Sequence, residues 1–199
     1  MFASEYTDAL AMQAARLVFE FLPRAVRDGQ DLEARTRMHN AACMAGLAFA
    51  NAFVGVNHAL AHSLGARFHL PHGRANAVLL PYVVRYNASL PSKFMPFPNV
   101  KAYVAPEKYA AVAAAMNWGG ASVSERVDLL VARIVALLEE CHLPTTIAAA
   151  GVPRAEFEAA LPEIIQGACD DISLRSNPRM PLLHELEAIL RRAYDGPAA

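Results

Sequence analysis

Long hydrophobic runs, an excess of charge and paired cysteines are all missing from this 199-residue sequence, and each absence excludes something. Arg, Asp, Glu or His interrupts every apolar stretch before it reaches the roughly eighteen residues that a spanning helix needs, so no membrane segment can be placed. Eighteen basic residues stand against nineteen acidic ones, for a formal net charge of −1. Such a balance gives no long-range field to draw a polyanion, and neither a nucleic acid nor a membrane surface has support as a partner. The N-terminal Met1-Phe2-Ala3-Ser4-Glu5 has neither a basic region nor an apolar one, so no secretory signal is visible and the cytoplasm is the expected location. The three cysteines, Cys43, Cys141 and Cys169, are odd in number and far apart, which suits core thiols in helices better than a disulfide framework or a zinc knuckle.

What the sequence has in quantity is apolar residues, 55% against 19% charged, which excludes disorder and predicts one main core over residues 1–199. Apolar positions recur at helical spacing nearly throughout, alanine is abundant, and no alternating run bounded by turns marks a strand, so the expected fold class is all-α. A first helix is expected from Glu5 to about Asp28, with Tyr6, Leu10, Leu17, Phe21 and Val26 on one side, Pro23 as a candidate kink and Gly29 as its stop. Asp31 reads as the N-cap of a second helix, Leu32 to about Phe53, whose small-residue face would carry Met38, Ala42, Ala45 and Phe49. A third helix runs from Gly55 to Phe68 and a fourth from Arg74 to Asn87. The Pro-rich stretch 90–106 reads as an ordered surface excursion and the one candidate subdomain break. Helices over Glu107–Met116 and from Ser122 to Cys141 follow, the latter with capping-box spacing between Ser122 and Glu125. A helix opened by Pro153, a polar loop Ser173–Pro178 and a helix Leu182–Tyr194 complete the chain.

Four of the seven histidines fall within fifteen residues, His58, His62, His69 and His72. His58 and His62 are at i and i+4, so on a helix they project from one face a turn apart, and His72 joins them if the turn at Pro71 folds back. Neutral imidazoles in that arrangement suit a transition metal or a proton relay, whereas a lone histidine usually donates to a backbone carbonyl. His39, His142 and His184 stand alone and take that structural role. Positions 59 to 61 are Ala-Leu-Ala, so the glutamate of a HExxH protease is missing, and no nucleophile elbow, P-loop or GxGxxG fingerprint is present.

The block from Ala45-Gly46-Leu47-Ala48-Phe49-Ala50-Asn51-Ala52 through Asn57-His58-Ala59-Leu60-Ala61-His62 to His69-Leu70-Pro71-His72-Gly73-Arg74-Ala75-Asn76 resembles the signature of the iron-containing (group III) alcohol dehydrogenases. Ser4-Glu5-Tyr6-Thr7-Asp8 and Asn177-Pro178-Arg179-Met180-Pro181 are similar to the bifunctional aldehyde-alcohol dehydrogenase branch, so the resemblance covers nearly the whole chain. It implies a helical bundle of the dehydroquinate synthase-like type, the half that holds one Fe2+ or Zn2+, with an NAD(H)-binding half expected elsewhere. By the family's pattern of one Asp and three His, His58 and His72 match the second and third histidine ligands, and His62 matches the additional histidine that handles substrate and proton. The Asp and the first histidine fall upstream of Met1. The implied reaction is interconversion of small primary alcohols and aldehydes, with Phe53, Phe68 and Leu70 either walling the substrate or packing in the core. A truncated chain of this kind is expected to hold metal weakly, to bind no NAD(H) by itself and to self-associate. The alternative is a catalytically inactive helical packing or oligomerisation module.

Overall fold

The structure, a computed structural model, describes residues 2–91 and 102–196. Among them are α1 (Glu5–Arg27), α2 (Leu32–Ala52), α3 (Val56–Phe68), α4 (His72–Ala88), α5 (Ala105–Ala115), α6 (Val123–Glu140), α7 (Arg154–Asp170) and α8 (Leu183–Asp195), one 3-10 helix over Ile172–Ser176, and no strand. The fold is all-α, and the helix bounds follow the caps. Ser4 Oγ accepts the Thr7 N–H at 3.2 Å while Thr7 Oγ1 accepts the Ser4 N–H at 2.8 Å, satisfying two donors that α1 would otherwise leave open. Asp31 Oδ1 does the same for Ala34 at 2.9 Å. At α6 the Ser122 hydroxyl accepts from Glu125, but the Glu125 carboxylate reaches one residue further back, to the Ala121 N–H at 2.6 Å. Two helices begin earlier than the periodicity predicts. Helix α4 opens at His72 behind Pro71, and α5 opens at Ala105 with Pro106 in its first turn, where a missing N–H costs nothing. Pro96 and Pro98, and most of the excursion expected over 90–106, lie outside the described residues.

The main core joins α3, α4, α7 and α8. Val56, Ala59, Leu60, Ala61 and Leu64 of α3 are all at most 1% exposed and meet Val78 and Leu79, Phe157 and Ile164, and Leu186 and Leu190. Helix α4 also serves a second cluster through Val84, which packs with Val127, Leu130, Val131 and Ile134 of α6 and Ala110 of α5. Helices α1 and α2 form an antiparallel hairpin with its own small cluster, Leu17, Phe21, Ala34 and Ala41. No single helix among the described residues is long and apolar enough to cross a membrane.

Three expectations about burial need correction. On α1 the inward residues are Thr7, Ala14, Leu17 and Phe21, whereas Tyr6 and Val26 are exposed. On α2 the buried line is Ala34, Ala41 and Ala48, a seven-residue repeat, and Ala42 and Phe49 of the expected face are exposed. Small side chains on α2 let α1 approach, so the alanines form the seam against Leu17 and Phe21, with Met38 and Met44 packed at the edge, while Leu32, Leu47 and Phe49 turn away. Cys43 is exposed too, and of the three thiols only Cys141 is buried.

Candidate functional site

The start of α3 is held from two sides. Phe53 adopts φ 60° and the chain turns by 107° between α2 and α3, and the 3-10 segment closes over the break. Ser176 Oγ donates to the Val54 carbonyl, and Asn177 Oδ1 accepts the Val56 N–H at 3.2 Å. Asn177 is itself buried and paired with Asn87 of α4, its Nδ2 donating to Asn87 Oδ1 at 2.9 Å. A Cβ on residue 55 would lie 2.7 Å from Asn177 Oδ1, so only glycine admits this approach. The end of α3 is equally defined. His69 takes the left-handed conformation, φ 53°, its N–H donating to the Gly65 carbonyl, and Pro71 then starts α4.

With α3 fixed at both ends and its apolar side in the core, His58 and His62 share the remaining side, and the tight α3–α4 turn returns His72 beside them. Ring centroids lie 5.4 Å apart for His58 and His72, 5.2 Å for His62 and His72, and 6.0 Å for His58 and His62. His69 is exposed on the turn, and His39, His142 and His184 are exposed on other helices or loops. Phe53 turns outward, edge-on to Phe2 at 5.1 Å, while Phe68 and Leu70 pack against the main core.

Each of the outer imidazoles has a polar neighbour. His62 Nδ1 is 2.6 Å from Asp171 Oδ2. Asn76 Nδ2 lies 3.2 Å from His72 Nε2, and Asn76 Oδ1 in turn accepts from Asn57 Nδ2 at 2.8 Å. Burial first, then the neighbouring His72 and His62 rings, push the His58 imidazole below its ordinary pKa against a smaller opposite pull from Asp171. The neutral form that a metal requires is therefore the favoured one. Burial pushes the Asp171 carboxyl up, but His62 and the Ser173 N–H outweigh it and leave the net value below the usual carboxylate range.

The donor geometry can be weighed against a metal. Two imidazoles bound to one ion at about 2.0–2.1 Å have their ring centroids about 5 Å apart, a spacing that His72 meets with both His58, at 5.4 Å, and His62, at 5.2 Å. Among the described residues no group of three His, Cys, Asp or Glu side chains is arranged to hold an ion. What the chain itself brings together is a cluster of three imidazoles around His72. Asp171 and Asn76 escaped the reading of the sequence. Asp171 is 109 residues from His62, beyond any local spacing, although Asp171-Ile172-Ser173 carries the turn signal that places it.

The fold is that of the C-terminal part of iron-containing alcohol dehydrogenase structures. It matches 1,3-propanediol oxidoreductase with a TM-score of 0.83 and 38% identity, covering 97% of this chain and 46% of that one. An alcohol dehydrogenase from Oenococcus oeni matches with a TM-score of 0.82 and 32% identity, covering 98% and 46%. The chain belongs to the Fe-containing alcohol dehydrogenase family, whose C-terminal model matches residues 1–194. It is 39% identical over 194 residues to an aldehyde-alcohol dehydrogenase of Streptococcus pneumoniae, covering 98% of this chain and 22% of that protein. It is 42% identical over 179 residues to the 1-propanol dehydrogenase PduQ of Salmonella typhimurium, covering 89% and 45%. The chain therefore spans less than half the length of these relatives.

Proposed function

We propose that this chain is the metal- and proton-handling helical domain of an NAD-dependent, iron-containing alcohol dehydrogenase that interconverts small primary alcohols and aldehydes in the cytoplasm. The observation that carries the reading is the convergence of His58, His62 and His72 at one turn, with the His72 ring 5.4 Å from that of His58 and 5.2 Å from that of His62. Fe2+ or Zn2+ bound there would polarise a carbonyl or acidify an alcohol, the hydride coming from a nicotinamide held by a dinucleotide-binding half. His58 presents a neutral ring for that ion, and His72 brings its imidazole to the same point from the first turn of α4. His62, exposed on the same side and held by Asp171, takes or returns the proton of the hydroxyl.

Two of the four ligands of the family's pattern are matched by residues of this chain, so it holds Fe2+ or Zn2+ weakly, and neither binds NADH measurably nor turns over ethanol or acetaldehyde without the dinucleotide-binding half. Metal analysis after dialysis, NADH titration by fluorescence and an assay with added Fe2+ test this together. Trace metal that is lost in His58→Ala and in His72→Ala supports the reading. Metal retained in both variants, or saturable micromolar NADH binding with metal-dependent turnover, overturns it.

A second reading, a helical packing or oligomerisation module, has its own observation in Leu32, Leu47 and Phe49, which face outward from α2. The two readings separate on size-exclusion chromatography: self-association through α2 is indifferent to His58→Ala and His72→Ala.

A further inference from the structure

We propose that Asp171 is the positioning residue for the His62 imidazole, its Oδ2 accepting the Nδ1 proton so that Nε2 is left as the basic nitrogen of the ring. This rests on the reading of His62 as the group that handles the proton, and it adds the residue that prepares His62 for the task.

The two oxygens of Asp171 have separate partners. Oδ1 accepts the Ser173 N–H at 2.7 Å, which fixes the carboxylate at the start of the 3-10 helix, and Oδ2 sits 2.6 Å from His62 Nδ1. The carboxylate is the sheltered member, 16% exposed against 42% for the ring, so a fixed acceptor holds a more open imidazole. A close approach of α7 to α3 sets the reach. A Cβ on residue 167 would lie 2.7 Å from the Ser63 hydroxyl and 3.4 Å from its Cβ, so the end of α7 passes close to α3 next to His62.

An ionised carboxylate only accepts hydrogen bonds, so a neutral His62 must place its proton on Nδ1 to satisfy this contact. Nε2 then has a free lone pair. Without such a partner a neutral imidazole prefers the opposite tautomer, with the proton on Nε2, which could donate but not accept a proton. A carboxylate that fixes ring and tautomer in this way recurs behind functional histidines.

The asymmetry of the two oxygens makes the substitution decisive. In Asp171→Asn the amide oxygen stays with the Ser173 N–H, and the NH2 group is turned toward His62 Nδ1, where it demands an acceptor and reverses the tautomer. Ring-nitrogen NMR of the metal-free, histidine-labelled chain at a pH where His62 is neutral reads this directly, with His62→Gln identifying the resonances. The expected result is a pyrrole-like Nδ1 and a pyridine-like Nε2 in the wild type, and exchange of the two shifts in Asp171→Asn. Asp171→Glu should return the wild-type pattern at least in part. Should Asp171→Asn fail to fold, as judged by helical circular dichroism, the wild-type tautomer and Asp171→Ala carry the test, the latter expected to lose the Nδ1–H preference. A pyridine-like Nδ1 in the wild type, or an unchanged pattern in folded Asp171→Asn or Asp171→Ala, overturns the proposal. Because no metal or nucleotide is present, a failure of metal binding leaves this result untouched, and the two ideas fall separately.

Discussion

Helices α3 and α4 and helices α1 and α2 are both helix pairs joined by short turns, yet they bury different things. Around α3 the neighbours α4 and α7 come from different directions, with α8 closing the same core, and large aliphatic side chains fill the space to 0% exposure at Val56, Leu60 and Leu64. Helix α2 packs chiefly on α1, across a line of alanines, while Phe49 and Leu32 are 53% and 77% exposed and a shallow hollow of about 360 Å³ lies among Leu22, Val26, Met38 and Ala42. A helix enclosed by others has its orientation dictated by burial, and that orientation aims His58 and His62. A helix with one principal partner is oriented by how closely two backbones can approach, and its bulky residues are left to whatever else binds there.

The largest effect expected from this contrast is at Leu60. Truncation to alanine opens a cavity in the enclosed core, and Leu60→Ala should lower stability by about 2–5 kcal/mol in a urea titration. If Leu60→Ala and a comparable change on α2 cost the same, the two pairs do not differ as described. Next in size is the seam itself. Ala41, 1% exposed, has no room for a longer side chain, and Ala41→Leu should cost about 1–3 kcal/mol by forcing α1 and α2 apart, whereas Ala42→Leu on the exposed side should be close to neutral.

The same contrast explains what the sequence discloses. Helix positions follow from caps and prolines, which act locally, so Asp31, Ser122 and Pro153 mark their helices correctly. The face of α2 does not follow from hydrophobicity, because Met38, Ala42, Ala45 and Phe49 and the true line Ala34, Ala41, Ala48 are both apolar, and alanine stands on each. The histidines of the site are visible because helix pitch and a Pro-Gly turn bring them together within fifteen residues. Asp171, Asn177 and Ser176 reach the same place from the far end of the chain, through contacts that no spacing encodes.

A smaller effect is expected on acidification. The folded chain holds the Asp171 carboxyl below its ordinary value of 3.8, so the unfolded chain takes up that proton first as pH falls. The stabilisation from the His62 and Ser173 contacts is complete above that value and is lost as pH drops through the lower folded pKa. Urea titrations between about pH 5 and pH 3 should show a shallower decline for Asp171→Asn than for the wild type. The least stability change is expected at the exposed face of α2, where Phe49→Ser should stay within about 0.5 kcal/mol. That substitution should instead reduce self-association, read as a later elution or a lower mass by light scattering, and an unchanged mass would show that this face is not a contact.

The central claim is that the α3–α4 turn makes His58 and His72 one donor pair, and a Zn2+ titration followed through the histidine ring resonances tests it most directly. The predicted result is that His58 and His72 shift together and saturate together, and that His72→Ala removes the response of His58. If His58 responds in His72→Ala as it does in the wild type, or if His69 or His184 responds while His58 and His72 stay still, the pair does not exist as a metal site.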